Sequence, residues 1–416
     1  MGFLATTPST DADSRLQRSP QQASTAKLLA VFLCGSVAFL NLYCTQPMLP
    51  MLAHVFSVTE TQVGVTVSAA TIGVAISSFL LALFGERLPR KKAIVISMVA
   101  LAVLTLLTSF AQSLHTLAVC RMLQGLSTPG IFILTIAYIT DEFPPLDVPR
   151  VMSSYVAGTV FGGFLGRFLG GFIAARMGWH EVFAVLAVGG FVGAGLTAWL
   201  LPKPRHQHEQ KKSSVLAPLL GHMKNPRLLA TFLIGFCMLF TLVSTFNFVT
   251  FYLSEKPFLL STEKLSDLFA VYLIGLVATL VMGRYLVRIG LRIGMLIATS
   301  VGVVGILTTL SHSLVLVAAG LAMASSCVFI AQTCANSFIR DAAPAGGRVS
   351  ATGLYICIYY VGGTVGGMLP GVAWRHAGWP GCVAMIAVVI AVSGMTAFFG
   401  WVPIAERLDP VPLERM

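Results

Sequence analysis

Two arginines stand inside stretches that are otherwise apolar, Arg121 within 115–139 and Arg167 within 150–175. A guanidinium stays charged and presents five N–H donors in a planar fork. At mid-membrane depth it costs roughly 2.5–3.5 kcal/mol on insertion scales, so each must face protein or a water-filled space. Such a group orients a solute or ties helices together by hydrogen bonds, and both uses stay open. Uncharged polar groups occur at similar depths. The first apolar stretch ends Asn41-Leu-Tyr43-Cys-Thr45-Gln46-Pro47-Met-Leu-Pro50, and its counterpart in the second half of the chain carries Asn247 and Thr250 among aromatics. Gln332, Thr333 and Asn336, then Tyr355, Tyr359 and Tyr360, follow in the tenth and eleventh stretches. Without water these groups must face a cavity or another helix, so solute binding and interhelical hydrogen bonding are both open. No nucleophile, base and metal-ligand cluster shares one depth. The eight histidines scatter over loops and helix ends, His206 and His208 fall in a polar linker, and the eight cysteines lack metal-like spacing. Buried thiols are the expected state; no enzyme activity, metal or cofactor is expected.

The elements that must position these residues follow from composition. Hydrophobic residues make up 56% of the 416, charged residues only 10%, and mean hydropathy is +0.84, far from the soluble norm of about 25% charged. About 20 apolar residues cross a bilayer core. Twelve such stretches are predicted: 28–50, 61–85, 92–112, 115–139, 150–175, 179–201, 227–253, 265–286, 291–311, 313–337, 348–374 and 379–402. The fold class is an all-α membrane protein of two six-helix bundles, 28–201 and 227–402, with a tail at 1–27, a linker at 202–226 and a tail at 403–416. The net charge of +11 is topological, which excludes nucleic acid as a partner. All but six of the 27 Lys and Arg lie on one side; Arg176, Lys256, Lys264 and Arg375 lie on the other, and Arg121 and Arg167 lie within helices. By the positive-inside rule both termini are cytoplasmic, with anionic lipid a secondary contact. Residues 1–26 lack the charged-then-apolar pattern of a cleaved signal and are expected to be a disordered tail.

The two bundles are related by an internal repeat. Tyr155, Gly162-Gly163, Gly166, Gly171 and Gly178-Trp179 recur 200 positions later as Tyr355, Gly362-Gly363, Gly366, Gly371 and Gly378-Trp379, and Asp141 and Pro144 recur as Asp341 and Pro344. Gly158, Gly162, Gly166 and Gly170 form a ridge without side chains, which lets helix backbones touch in lipid.

Between the second and third spans lies Gly85-Glu86-Arg87-Leu88-Pro89-Arg90-Lys91-Lys92, echoed by Gly283, Arg288, Gly290 and Arg292 with Val287 in place of the acid. Two six-helix halves and a loop of this kind resemble the major facilitator superfamily, whose loop signature is Gly-x-Leu-Ala-Asp-Arg-x-Gly-Arg-Lys. Here Glu86 stands for the aspartate and Pro89 for a glycine; Arg87 and Arg90 match. The resemblance implies that Glu86, with Arg87, Arg90, Asp141 and Arg288, gates the cytoplasmic side. Leu117-x-x-x-Arg121-x-x-Gln124-Gly125 resembles the family's fourth-helix signature, which implies proton coupling or substrate orientation for Arg121; a structural arginine on backbone carbonyls is the alternative. Gly158-x-x-x-Gly162-Gly163-x-x-Gly166-Arg167 partly matches the fifth-helix antiporter signature, with Gly163 for proline and Arg167 for glycine.

The resemblance also implies that helices one, four, seven and ten line a cavity, bringing in Gln332 and Asn336, and that helices five and eleven pack across the halves. The Tyr-Cys-Thr-Gln-Pro-x-Leu-Pro segment looks most like bacterial efflux permeases. The expectation is a monomeric inner-membrane transporter of a small organic solute, working by alternating access and driven by protons outward. All sixteen acids fall in tails, loops or helix ends, so an importer or uniporter of a small metabolite, anionic or not, is the alternative, and a non-transporting receptor or scaffold the third reading.

Overall fold

Two prolines decide the course of the first membrane element. Pro47 and Pro50 lack the N–H groups that a continuous helix would donate to Tyr43 and Gln46, and the chain divides accordingly. Helix α1, Thr25–Leu42, gives way to a 3-10 turn, Gln46–Met48, and then to α2, Leu49–Phe56, where Pro50 sits in the first turn and no N–H is needed. The expected span ended at residue 50. The crossing instead reaches Phe56, which puts the break inside the element rather than at its outer end.

The computed structural model describes residues 24–84, 88–202, 221–344 and 348–401. Beyond α2 run α3 (Glu60–Phe84), α4 (Arg90–Thr108), α5 (Leu114–Ser127), α6 (Pro129–Glu142), α7 (Val148–Arg176) and α8 (Trp179–Leu200). The second half comprises α9 (Pro226–Ser254), α10 (Thr262–Leu268), α11 (Val271–Ile289), α12 (Leu291–Thr308), α13 (Leu314–Ala342), α14 (Arg348–Met368) and α15 (Pro370–Gly400). Among the described residues there is no strand. Among the described residues ten elements are long and apolar enough to cross a membrane, α1 with α2 and α5 with α6 each counting as one; with α11 and α14 the order agrees with the expected twelve. Leu369 keeps helical dihedrals, so α14 continues into α15, and the chain reverses only at Ala377 and Gly378. Gly178 and Gly378, 200 positions apart, both have positive φ, 114° and 57°, where a side chain would be strained. The expected linker lies largely outside the described residues, as do Glu86 and Arg87.

The glycine ridge shows how each half holds together. A Cβ on Gly158, Gly162, Gly166 or Gly170 would lie 2.2, 2.2, 2.0 or 2.3 Å from the carbonyl oxygens of Phe32, Ser36, Leu40 and Cys44, one per turn of the first element. In the second half Gly362 and Gly366 meet the carbonyls of Phe236 and Phe240 at 2.1 and 2.6 Å, so the contacts themselves repeat at 200 residues. The ridges bind α7 to α1 and α14 to α9 within each half, while other faces of the same two helices make the expected packing across the halves: a Cβ on Gly64 would lie 2.3 Å from the Gly367 carbonyl oxygen. Other residues join the halves. Gly171 faces Ser266, Ser68 Oγ donates to the Thr364 carbonyl at 2.8 Å, and the Thr71 and Thr364 hydroxyls lie 3.0 Å apart. Gln46 Nε2 donates to Asn247 Oδ1 at 2.9 Å, and Arg176 pairs with Glu263 at 2.7 Å. Contacts between the halves run along α3 and α14 as well, down to Gly353 beside Ala82 near the end that carries the termini.

Candidate functional site

The break in the first element creates the seat for Arg121. A helix that stops leaves its last carbonyls without intrahelical donors and carries partial negative charge there. Arg121, on α5, is fully buried and occupies that position. Its Nη1 donates to the Asn41 carbonyl at 2.8 Å and to Gln124 Oε1 at 2.7 Å, its Nε donates to the Thr66 carbonyl at 3.3 Å, and its Nη2 donates to the Leu42 carbonyl. Gln124 Nε2 donates in turn to the Thr105 and Thr108 hydroxyls at 3.1 and 3.0 Å, and Thr105 donates to Asn41 Oδ1 at 3.1 Å. Arg121, Gln124 and Asn41 therefore form one closed network that pins the broken helix to α3, α4 and α5. The guanidinium has little hydrogen-bonding capacity left for a solute.

Arg167 is surrounded differently. It too is buried, at 1% exposure, and lies between the halves. Its Nε donates to Gln46 Oε1 at 2.8 Å, its Nη1 to the Gly163 carbonyl at 2.6 Å and its Nη2 to the Tyr272 hydroxyl at 3.4 Å. The guanidinium carbon lies 4.5 Å from the centre of the Tyr43 ring, 4.4 Å from Tyr272 and 5.7 Å from Phe269. Cation–π contacts contribute about 0.5–2 kcal/mol each, enough together to offset a buried charge that touches no carboxylate among the described residues. Tyr359 packs edge-on against Tyr360 at 5.4 Å and beside Tyr355 at 6.0 Å, and both Tyr359 and Tyr360 lie within electrostatic reach of Tyr43 and Tyr272. Through Gln46 the arginine reaches Asn247 of the second half, whose carbonyl accepts from the Thr250 hydroxyl at 2.6 Å.

The structure thus gathers Tyr43, Gln46, Arg167, Asn247 and Tyr359 around one centre and sets Arg121, Gln124 and Asn41 beside it in a second, while the Thr250 hydroxyl bonds its own helix backbone. Gln332 is half-buried and Asn336 exposed on α13; neither makes a side-chain bond to that centre. Gly163 differs from the ridge glycines in meeting only Arg167 Nη1, at 3.4 Å. Of the gating residues, Arg90 pairs with Asp141 at 3.4 Å inside the first half, and Arg288 is exposed at the end of α11. Sequence reasoning missed Tyr272 and Phe269. Both sit in an apolar stretch where an aromatic reads as core, and only the fold brings them to the guanidinium. A cleft of ≈ 480 Å³ between α11, α12 and α13, bounded by Ile274, Val281, Met282, Val301 and Ile330, is almost wholly apolar and separate from both centres.

Two similar helical halves, joined around a charged and aromatic centre, define a solute carrier of the two-bundle kind. Relatives agree: a sequence model of the Major Facilitator Superfamily matches residues 31–262, and the chain belongs to that family, whose members are secondary transporters. It is 30% identical to the inner membrane transport protein YnfM of Escherichia coli over 369 residues, covering 88% of each chain. It is 29% identical to the uncharacterized MFS-type transporter YybF of Bacillus subtilis over 366 residues, covering 88% of this chain and 90% of the relative. The human organic anion transporter MFSD10 shares the fold with a TM-score of 0.69 at 18% identity, covering 89% of this chain and 99% of that one.

Proposed function

We propose that this integral membrane protein moves a small organic solute by alternating access, the halves rocking about the centre formed by Arg167, Tyr43 and Tyr272. The observation that carries the proposal is the position of that centre: a buried cation of the first half bonded to a hydroxyl of the second, beside the Gln46–Asn247 bond between the halves. The Arg176–Glu263 pair, toward the end remote from the termini, supports closure of that end in this state. With cytoplasmic termini, the solute would then exchange with the cytoplasm. The resemblance to efflux permeases supports proton-driven export from the inner membrane by a monomer. A second reading, uptake or uniport of an anion, is favoured by the absence of a carboxylate against Arg167 among the described residues; a structural neighbour described as an organic anion transporter is in keeping with it.

Everted vesicles and right-side-out proteoliposomes loaded with a panel of organic acids, neutral compounds and cations separate the readings. Accumulation in everted vesicles that collapses when the pH gradient is removed supports export. Flux indifferent to the pH gradient supports uniport, and no flux of any compound in either orientation refutes transport.

A further inference from the structure

The two buried arginines differ in what they have left to give. Arg121 donates four of its five N–H groups, to three backbone carbonyls and a glutamine. Arg167 has hydrogen bonds for three of its five N–H groups among the described residues, and an arginine cannot shed its charge by deprotonation. On the Gly163 side a Cβ would meet only Arg167 Nη1 within 4 Å, so a group of methyl size fits against that nitrogen. A second donor is idle: Asn247 Nδ2 is buried and has no partner, although Asn247 Oδ1 is bound to Gln46. The Tyr43, Tyr359 and Tyr360 hydroxyls make no hydrogen bond among the described residues, and the Tyr43 ring flanks the guanidinium.

We propose that this centre is the substrate subsite and that it takes a small carboxylate bearing an aromatic ring. The carboxylate lies on the free edge of the Arg167 guanidinium and the ring lies among the tyrosines. A planar carboxylate matches the fork and supplies the missing counter-charge. The aromatic walls favour a flat ring over an aliphatic chain, because ring pairs at 4.5–7 Å add to burial. The assignment rests on the transporter reading but concerns binding alone. It has a consequence for motion: a carboxylate that draws Arg167 Nε away from Gln46 Oε1 also loosens the amide that holds Asn247 of the other half.

The test uses the full chain in lipid nanodiscs and titrates benzoate, 4-hydroxybenzoate and phenylacetate, each against its own amide, by calorimetry. The expected result is saturable binding of at least one acid, with its amide weaker by roughly tenfold or more because a site built around a polar partner rejects analogues lacking it. In Arg167→Gln the acid-to-amide ratio falls toward one, and Arg167→Lys retains part of it. Equal affinity for acid and amide in the unaltered protein, a ratio unchanged in Arg167→Gln, or no binding of any acid at millimolar concentration overturns the proposal. The comparison of acid with amide needs no variant, so it stands even where Arg167→Gln fails to fold. Flux in proteoliposomes separates the two levels. Transport of neutral compounds without binding of the acids leaves the carrier and removes the subsite. Arg167-dependent binding without any flux does the reverse.

Discussion

Replacing Gly166 by alanine tests the packing that holds each half together, and Gly163 supplies the internal control. A Cβ at position 166 would sit 2.0 Å from the Leu40 carbonyl oxygen and 2.8 Å from its carbon. Both are backbone atoms that no rotamer change can move, so α7 and α1 must separate along a line of four such contacts. A Cβ at position 163 meets one atom at 3.4 Å, the end of a flexible arginine. The helix-propensity gain from glycine to alanine, up to about 1 kcal/mol, is common to both variants and cancels in the comparison. What remains is the cost of overpacking, typically about 1–3 kcal/mol, carried by Gly166→Ala alone. Thermal unfolding in detergent, followed with a thiol-reactive fluorophore that reports exposure of the buried Cys34, Cys44 and Cys237, should show Gly166→Ala melting below Gly163→Ala. Gly366→Ala in the second half should behave like Gly166→Ala, because its Cβ meets the Phe240 carbonyl at 2.6 Å. Equal midpoints for Gly163→Ala and Gly166→Ala would refute this account of the ridge.

Arg121→Ala and Arg121→Lys should both lower the yield of folded protein. Each removes the guanidinium donor from the carbonyls at the broken end of α1, Leu42 above all, where an unpaired buried acceptor costs about 1–3 kcal/mol, and a compact ammonium cannot span them; full recovery in the lysine variant would contradict the network. The Arg176–Glu263 pair is exposed on both sides and such pairs contribute about 0–1 kcal/mol. Arg176→Ala should therefore leave the melting temperature unchanged while increasing maleimide labelling of Thr45→Cys, a position that is now buried; unchanged labelling removes the pair from the closed end. Glu255, beyond the end of α9, has its carboxyl raised above the ordinary 4.5 by burial and then by Glu60. A carboxyl raised on folding binds protons more tightly in the folded state, so stability falls as pH rises from the unfolded value through the folded one. Glu255→Gln should flatten that fall just above pH 4.5, and an unaltered profile over that window would exclude Glu255 as its source.

Much of this architecture was legible because it is periodic or compositional. Apolar runs of membrane length, the 200-residue repeat and the spaced glycines each follow from local chemistry, and the reversal at Gly178 and Gly378 falls where the repeat places it. The partner of the ridge was not legible, since glycines every fourth residue say that a backbone approaches but not which one. The two arginines make the same point more sharply. In sequence they are equivalent: one cation in an apolar stretch, with no acid nearby. Their difference arises elsewhere in the chain. Pro47 and Pro50 interrupt α1 and release carbonyls that Arg121 is placed to meet. Arg167 instead meets Tyr272 and Phe269, more than a hundred residues away and from the other half. A break in one helix thus satisfies the first cation, and the meeting of two halves leaves the second with donors to spare. The receptive group therefore sits where relative movement of the halves would change its surroundings most.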